Sequence, residues 1–286
     1  VPFAAFLLVS IAAIAHSSWN LLAKRAGKNI NLIWFSSLGE VVIFLPLALW
    51  ALKQSQTWAS LRALEFLLAT GVLHVFYTEC LLRAYRAGDL SLVYPLARGT
   101  GPLLSFLGAI LILSEHPTLL ATLGALLVSF GIFLLSSATR LMRSKTLPAG
   151  LVWGGLTGMI IAGYTLTDAY SVKVLALAPV LVEYAGNFFR TIVLTPRAWE
   201  QRAAVLAEYK LCWRESLGIS ILTPLGYILV LFAMKIAPVS RIAPVREMSM
   251  LIAAYFGAKM LGEGFKADRI IGTVLITAGV VMLTFS

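Results

Sequence analysis

The sequence predicts an all-α, polytopic membrane protein of ten transmembrane helices, arranged as an inverted repeat of five and five. Three observations predict it. Of 286 residues, 59% are hydrophobic and only 13% are charged, whereas a soluble domain carries about 25% charged residues. The apolar residues come in runs of about 20, long enough to span about 30 Å of hydrocarbon. Finally, one short stretch occurs twice. Residues 84–99 read AYRAGDLSLVYPLARG and residues 237–250 read APVSRIAPVREMSM; at a single offset Ser91 falls on Ser240, Pro95 on Pro244 and Gly108 on Gly257. At that offset Arg98 falls on Glu247, so the copies carry opposite charges at one structural position.

The spans are expected at about 2–22, 31–52, 64–82, 91–113, 118–136, 148–170, 180–194, 216–233, 242–260 and 269–286. The first ends in Ala13-Ile14-Ala15, which resembles a signal-peptidase site. No basic segment precedes it and the apolar run resumes through Trp19 to Leu22, so a retained helix is expected. The fourth and ninth spans are opened by the two copies of the repeated stretch. The fifth and tenth match after a one-residue slip, with Glu115 on Glu263, Gly124 on Gly272 and Gly131 on Gly279. Glycines seven apart share a helix face and allow close contact, which suits internal packing or a homodimer equally. The first and sixth match more weakly, through Pro2 and Pro148. The halves are 1–138 and 148–286. Five spans per half is odd, so the second half enters from the opposite side and a pseudo-two-fold axis lies in the membrane plane. The one long connection, 195–215, places Trp199, Ala203, Leu206 and Trp213 on one helical face. It reads as an interfacial amphipathic helix or as a solvated loop.

The net charge of +10 does not argue for nucleic acid, because Lys and Arg flanking membrane helices are topology signals. Odd-numbered connections hold fifteen of them; even-numbered ones hold five: Lys53, Arg62, Lys173, Lys235 and Arg241. That bias puts the odd connections in the cytoplasm and both termini outside. Cys80 and Cys212 have no metal-like spacing, so neither a zinc site nor a disulfide frame is expected. A Gly-rich Lys-Ser/Thr phosphate loop is not found, so transport would be secondary, with no cofactor.

The stretches HSSWNLLAKRAG at 16–27, AYRAGDLSLVYPLARG at 84–99, AGYTLTDAYSVK at 162–173 and APVSRIAPVREMSM with its glycine-rich continuation resemble the drug/metabolite transporter superfamily, in particular its EamA-type ten-helix carriers. The resemblance covers nearly the whole chain. It implies that helices 1–4 and 6–9 surround a central cavity with helices 5 and 10 outside, in a bacterial inner membrane. It also implies cytoplasmic termini, opposite to the loop charges. Its characterised members include amino-acid and metabolite exporters and sugar-phosphate exchangers.

Eight ionisable residues lie well inside the spans: Arg98, Arg190, Arg246, Glu40, Glu79, Asp168, Glu183 and Glu247. Each costs about 3 kcal/mol or more against lipid at the bilayer centre, so each is expected to face the interior, water or another charge. The near balance of signs suits a zwitterionic or polar neutral substrate. Arg98 offers a rigid fork to a carboxylate or phosphate, with Pro95 one turn before it to open the backbone; a salt bridge to a facing helix is the other reading. Glu247 is expected at the cavity, and an Arg98–Glu247 pair across the pseudo-axis would be a gate. Arg246 is expected to point about 100° away from it. His16, Trp19 and Asn20 share a face of helix 1, and Glu183 and Asn187 share a face of helix 7 with Arg190 alongside. With Tyr94 and Tyr164 they are expected to line the substrate cavity, although a polar–aromatic stripe also suits core packing.

Asp168, near the end of helix 6, is a proton-coupling candidate if desolvated and a solvated helix-end carboxylate otherwise. Glu79 and His74 are further proton candidates, with an ordinary Glu79–Arg83 helical pair as the competing reading. The expected function is secondary-active export or exchange of a small polar metabolite by alternating access. The alternatives are a flippase of a lipid-linked substrate and an exchanger of sugar-phosphate or nucleotide-like anions. An embedded enzyme is disfavoured, since His16, His74 and His116 fall in no catalytic spacing.

Overall fold

A computed structural model describes residues 1–26, 30–54, 57–87, 90–135, 149–252 and 267–286. Among these, all regular structure is helical. The helices are α1 (Phe3–Ala26), α2 (Ile30–Gln54), α3 (Leu61–Ala87), α4 (Leu90–Leu111), α5 (Leu119–Leu135), α6 (Ala149–Lys173), α7 (Pro179–Glu200), α8 (Arg202–Ile236), α9 (Val239–Val245) and α10 (Ala267–Phe285). Five of them, α1, α2, α3, α6 and α8, contain stretches long and apolar enough to cross a membrane, and α4, α5 and α10 carry shorter apolar stretches. Large apolar side chains line the outer faces at helical spacing: Phe3, Leu7, Ile11 and Ile14 on α1, and Leu119, Leu123, Leu126 and Phe130 on α5 are all exposed. Lipid takes the place of a neighbouring helix there.

Two elements depart from expectation. The 195–215 connection is helical on both sides of one residue. The α7 helix runs on to Glu200, and α8 begins at Arg202 with a kink at Cys212 (φ −131°, ψ 29°). Trp199, Leu206 and Trp213 remain exposed while Val205 and Cys212 are buried, so the solvated-loop reading fails. The ninth span is also broken. After α9 the chain tightens into a 3-10 turn at Arg246–Met248 before helix resumes at Ser249. Pro244 lies near the end of α9, one turn before this break. Its counterpart Pro95, at the same position in α4, leaves that helix unbroken. Gly257 and Glu263 lie outside the described residues.

The packing repeats about an axis. The α2–α7 and α5–α10 contacts pair equivalent helices of the two halves; α1–α8 is matched by α6–α3, and α3–α7 by α8–α2. Gly39 on α2 sits against Ser220 on α8, and Gly186 on α7 against His74 on α3. The α5–α10 seam is antiparallel: a Cβ added at Gly124 would stand 2.8 Å from the carbonyl oxygen of Gly279, and one at Gly131 would stand 2.8 Å from that of Gly272. These glycine faces are therefore occupied by internal packing. The other helices enclose the buried polar residues.

Candidate functional site

At one end of the interior, α4 and the turn after α9 bring the repeated stretches together. Arg98 Nη2 stands 2.8 Å from Glu247 Oε2, and Arg246 Nε stands 3.5 Å from Glu247 Oε1. All three side chains are buried. The expectation that Arg246 turns away from Glu247 is corrected here: the tighter 3-10 winding lets it fold onto the same carboxylate. Arg98 Nη2 also donates to Ser249 Oγ (3.2 Å), and Ser17 on α1 donates to the Ser249 carbonyl (2.9 Å). Among the described residues, two guanidiniums meet one carboxylate here. Arg246 Nη2 has no hydrogen-bond acceptor among the described residues.

The second cluster has the opposite balance. Arg190 on α7 pairs with Glu40 on α2 and donates from Nε to Ser37 Oγ (2.8 Å). It also donates from Nη2 to Asn187 Oδ1 (2.8 Å), which fixes the amide so that Asn187 Nδ2 donates to Glu183 Oε1 (2.9 Å). Among the described residues, Glu40 alone pairs with the guanidinium, and Glu183 is reached through the Asn187 amide. The recess among Glu40, Glu183, Tyr184, Asn187 and Pro224 is too narrow for a water molecule.

An aromatic group joins the two ends. Tyr164 stacks on His74 with centroids 4.6 Å apart and meets Tyr77 and Tyr227 edge-on at 5.7 and 5.9 Å. Tyr77 lies in electrostatic range of Arg98, Arg246 and Glu247 at one end and of Arg190 at the other. Beside these rings Asp168 is fully buried and accepts from the Tyr227 hydroxyl at 2.7 Å. The reading of Asp168 as a solvated helix-end carboxylate is overturned, because α6 continues to Lys173 and α3 and α8 cover it.

His16 lies in range of Arg98 and Arg246. Trp19 Nε1 donates to His16 Nδ1 (3.2 Å) and Asn20 Nδ2 to the His16 carbonyl (2.7 Å). Trp19 itself packs with Leu32, Cys212 and Ile219, so this stripe is bonded largely to itself. Tyr94 lies on α4, and its side chain is outside the described residues. Glu79 is not brought to the interior: about half exposed, it holds Arg83 at 2.8 Å, and Arg83 rests over Trp153 at 5.0 Å.

Sequence reasoning missed three contributors. Thr70 and Tyr227, the neighbours of Asp168, carry no charge and no spacing signal. Glu115 forms a latch outside the spans. It accepts from the backbone N–H groups of Val239 (2.8 Å) and Ser240 (2.9 Å) and from Lys173 Nζ (3.2 Å), while Lys173 also donates to the Ala237 carbonyl (2.9 Å). Its match with Glu263 was the available signal. Burial alone would raise the Glu115 pKa, but these donors outweigh burial and hold it below the ordinary 4.5.

A family model described as the EamA-like transporter family matches residues 3–137 and again 148–285. A solved crystal structure, described only as that of a protein, superposes with a TM-score of 0.71 over 98% of each chain at 15% identity, which shows a shared fold. No curated protein matches the sequence.

Proposed function

Because the chain belongs to the EamA-like transporter family, we propose that it exports or exchanges a small zwitterionic metabolite, such as an amino acid, by alternating access. The observation that carries this reading is the separation of charge inside the bundle. A positive end (Arg98, Arg246, Glu247) and a negative end (Glu40, Glu183, Arg190) stand on either side of a cluster of tyrosines. A substrate carboxylate suits the Arg246 fork at one end. A substrate ammonium suits the aromatic faces and carboxylates at the other. Asn187 orients Glu183, and His16 borders the positive end. Trp19 bonds the His16 ring and Asn20 its carbonyl.

The buried Arg98–Glu247 pair supports a gate made of equivalent positions in the two halves. Opening this end separates the pair, and closing restores it, so the cost of desolvating each charge is met only in the closed state. Loop charge supports cytoplasmic odd-numbered connections, which puts the Glu115–Lys173 latch on the outer side.

The test is thermal stabilisation of the purified protein by a panel of amino acids, amines, sugar phosphates and nucleosides, repeated with Arg98→Ala. A ligand at 100 times its Kd adds about 2.7 kcal/mol to stability. A zwitterion that raises the melting point of the parent, but not that of a folded Arg98→Ala variant, supports the reading. Stabilisation by sugar phosphates alone would replace it with anion exchange.

A further inference from the structure

The chain passes from α7 into α8 through two breaks. Gln201 (φ −103°, ψ 21°) separates the helices, and Cys212 (φ −131°, ψ 29°) interrupts α8. Residues 202–211 between them make a helical crossbar about 15 Å long, at 1.5 Å per residue. On either side of it α7 and the rest of α8 run antiparallel along α2. Thr195 and Ser216 meet the start of α2, at Trp34 and Ser36, while Val180 and Ile228 pack near its end with Ala48 and Ala51. The crossbar therefore spans one end of the bundle, with Val205 buried and Tyr209 stacked on Phe35 at 4.2 Å. Ile192 and Val193 on α7 and Leu217 and Ile221 on α8 are exposed and suit lipid tails, so the crossbar sits where the tails end, at the level of the head groups.

Trp199, Leu206, Leu211 and Trp213 are exposed on and beside this crossbar. Tryptophan concentrates at head-group level, where an apolar ring and a polar N–H are both satisfied. Each of these two tryptophans carries an arginine: Arg202 lies over Trp199 at 5.9 Å and Arg214 over Trp213 at 5.3 Å. A guanidinium over a ring uses its face there and keeps the N–H groups at its rim for a phosphate. No salt bridge among the described residues involves either arginine, although Glu200, Glu208 and Glu215 lie in the same stretch. An open concavity of about 570 Å³ lies against Trp199, Arg202 and Ala203. Arg83 lies over Trp153 at 5.0 Å at the same end of the bundle, but it already holds Glu79 at 2.8 Å. The crossbar belongs to the odd-numbered connections, which hold fifteen Lys and Arg against five in the even-numbered ones. An anionic head group thus meets an attractive field at this end.

We propose that the crossbar is a binding site for anionic phospholipid. Arg202 and Arg214 fork the lipid phosphates, while Trp199, Leu206, Leu211 and Trp213 meet the glycerol and the first methylenes. A zwitterionic phospholipid brings the same phosphate with a cation attached, and so gains less from these arginines. Arg83 adds little, because Glu79 already matches its charge. The site does not depend on the transport reading above.

Brominated lipids quench tryptophan on contact and test this without a substrate. The full chain would be reconstituted in phosphatidylcholine vesicles containing brominated phosphatidylglycerol or, in a parallel series, brominated phosphatidylcholine. The chain has seven tryptophans, so the signal of Trp199 and Trp213 is taken as the part lost in the variant Trp199→Phe with Trp213→Phe. Brominated phosphatidylglycerol is expected to quench this signal at the lower mole fraction, with a preference of about five-fold per arginine that weakens in high salt. Arg202→Gln with Arg214→Gln abolishes the preference, and Arg83→Gln, which removes the same charge from a matched arginine, leaves it. Equal quenching by the two lipids in the parent overturns the proposal, and so does a preference that survives in the double variant. A preference lost in Arg83→Gln belongs to overall charge and overturns it too. Both arginines are exposed, and a melting point at the parent value verifies the fold. Should the double variant fail to fold, Arg202→Gln and Arg214→Gln alone are each expected to lower the preference about five-fold, and a preference left whole in both overturns the site.

Discussion

Arg98 and Glu247 occupy equivalent positions in the two halves and face each other at 2.8 Å. The duplicated stretch has thus become an ion pair by carrying opposite charges in its two copies. Removing one partner leaves a buried charge uncompensated, and that costs about 3–5 kcal/mol. Arg98→Ala is expected to lower the melting point accordingly. Glu247→Ala is expected to cost at least as much, since it strands two guanidiniums. The exchange Arg98→Glu with Glu247→Arg is expected to recover only part of the loss: the pair itself is restored, but Arg246 then adjoins a second guanidinium. A double variant less stable than either single one would contradict this.

The α5–α10 seam makes a steric prediction. A methyl group at Gly124 or Gly131 meets a backbone carbonyl 2.8 Å away, and backbone cannot swing aside as a side chain can. Gly124→Ala and Gly131→Ala are each expected to cost about 1–3 kcal/mol, the usual range for overpacking. Gly155 on α6 has open space where its Cβ would go, so Gly155→Ala is expected to be neutral or mildly stabilising. Melting points of the three variants in one detergent make the comparison.

Glu115 gives the pH dependence. Its folded pKa lies below the ordinary 4.5, so its contribution is fully present above that value and is lost as pH falls through the folded pKa. Glu115→Gln is expected to lose about 2 kcal/mol at neutral pH, the scale of a hydrogen bond to a charged group. The gap between parent and variant closes on acidification. A gap that stays constant down to pH values below the folded pKa would show that the carboxylate charge is not what holds the latch.

Tyr227→Phe removes the donor that Asp168 Oδ2 accepts from at 2.7 Å while keeping the ring in place. Leaving that buried acceptor unmatched costs about 1–3 kcal/mol. Adding Asp168→Asn to the same chain is expected to cost less than the sum of the two, and a double-mutant cycle on melting free energies measures the difference.

The helix order and the repeat were legible because each span is an apolar run and Pro244, Gly124 and Gly131 have visible counterparts. The ionisable interior was legible for the same reason: a charge such as Glu40 or Arg98 stands out against an apolar background. The direction in which each side chain points was less so. Glu79 and Asp168 look alike in sequence, as acids inside spans, yet one reaches the surface beside Arg83 and the other is sealed under Tyr227. That difference depends on which helix lies opposite, and an unpatterned residue such as Tyr227 gives no notice of it. The turn at Arg246–Met248 was missed because the same proline chemistry breaks one copy and leaves the other whole.

The antiparallel seam has a further meaning. Gly124 meets Gly279, the counterpart of Gly131, and Gly131 meets Gly272, the counterpart of Gly124. Each half therefore presents to the other the surface that it would present to a second copy of itself inserted upside down. Two separate five-helix chains of opposite orientation would already possess this contact, so the covalent link between the halves secures stoichiometry and orientation without having to create the interface.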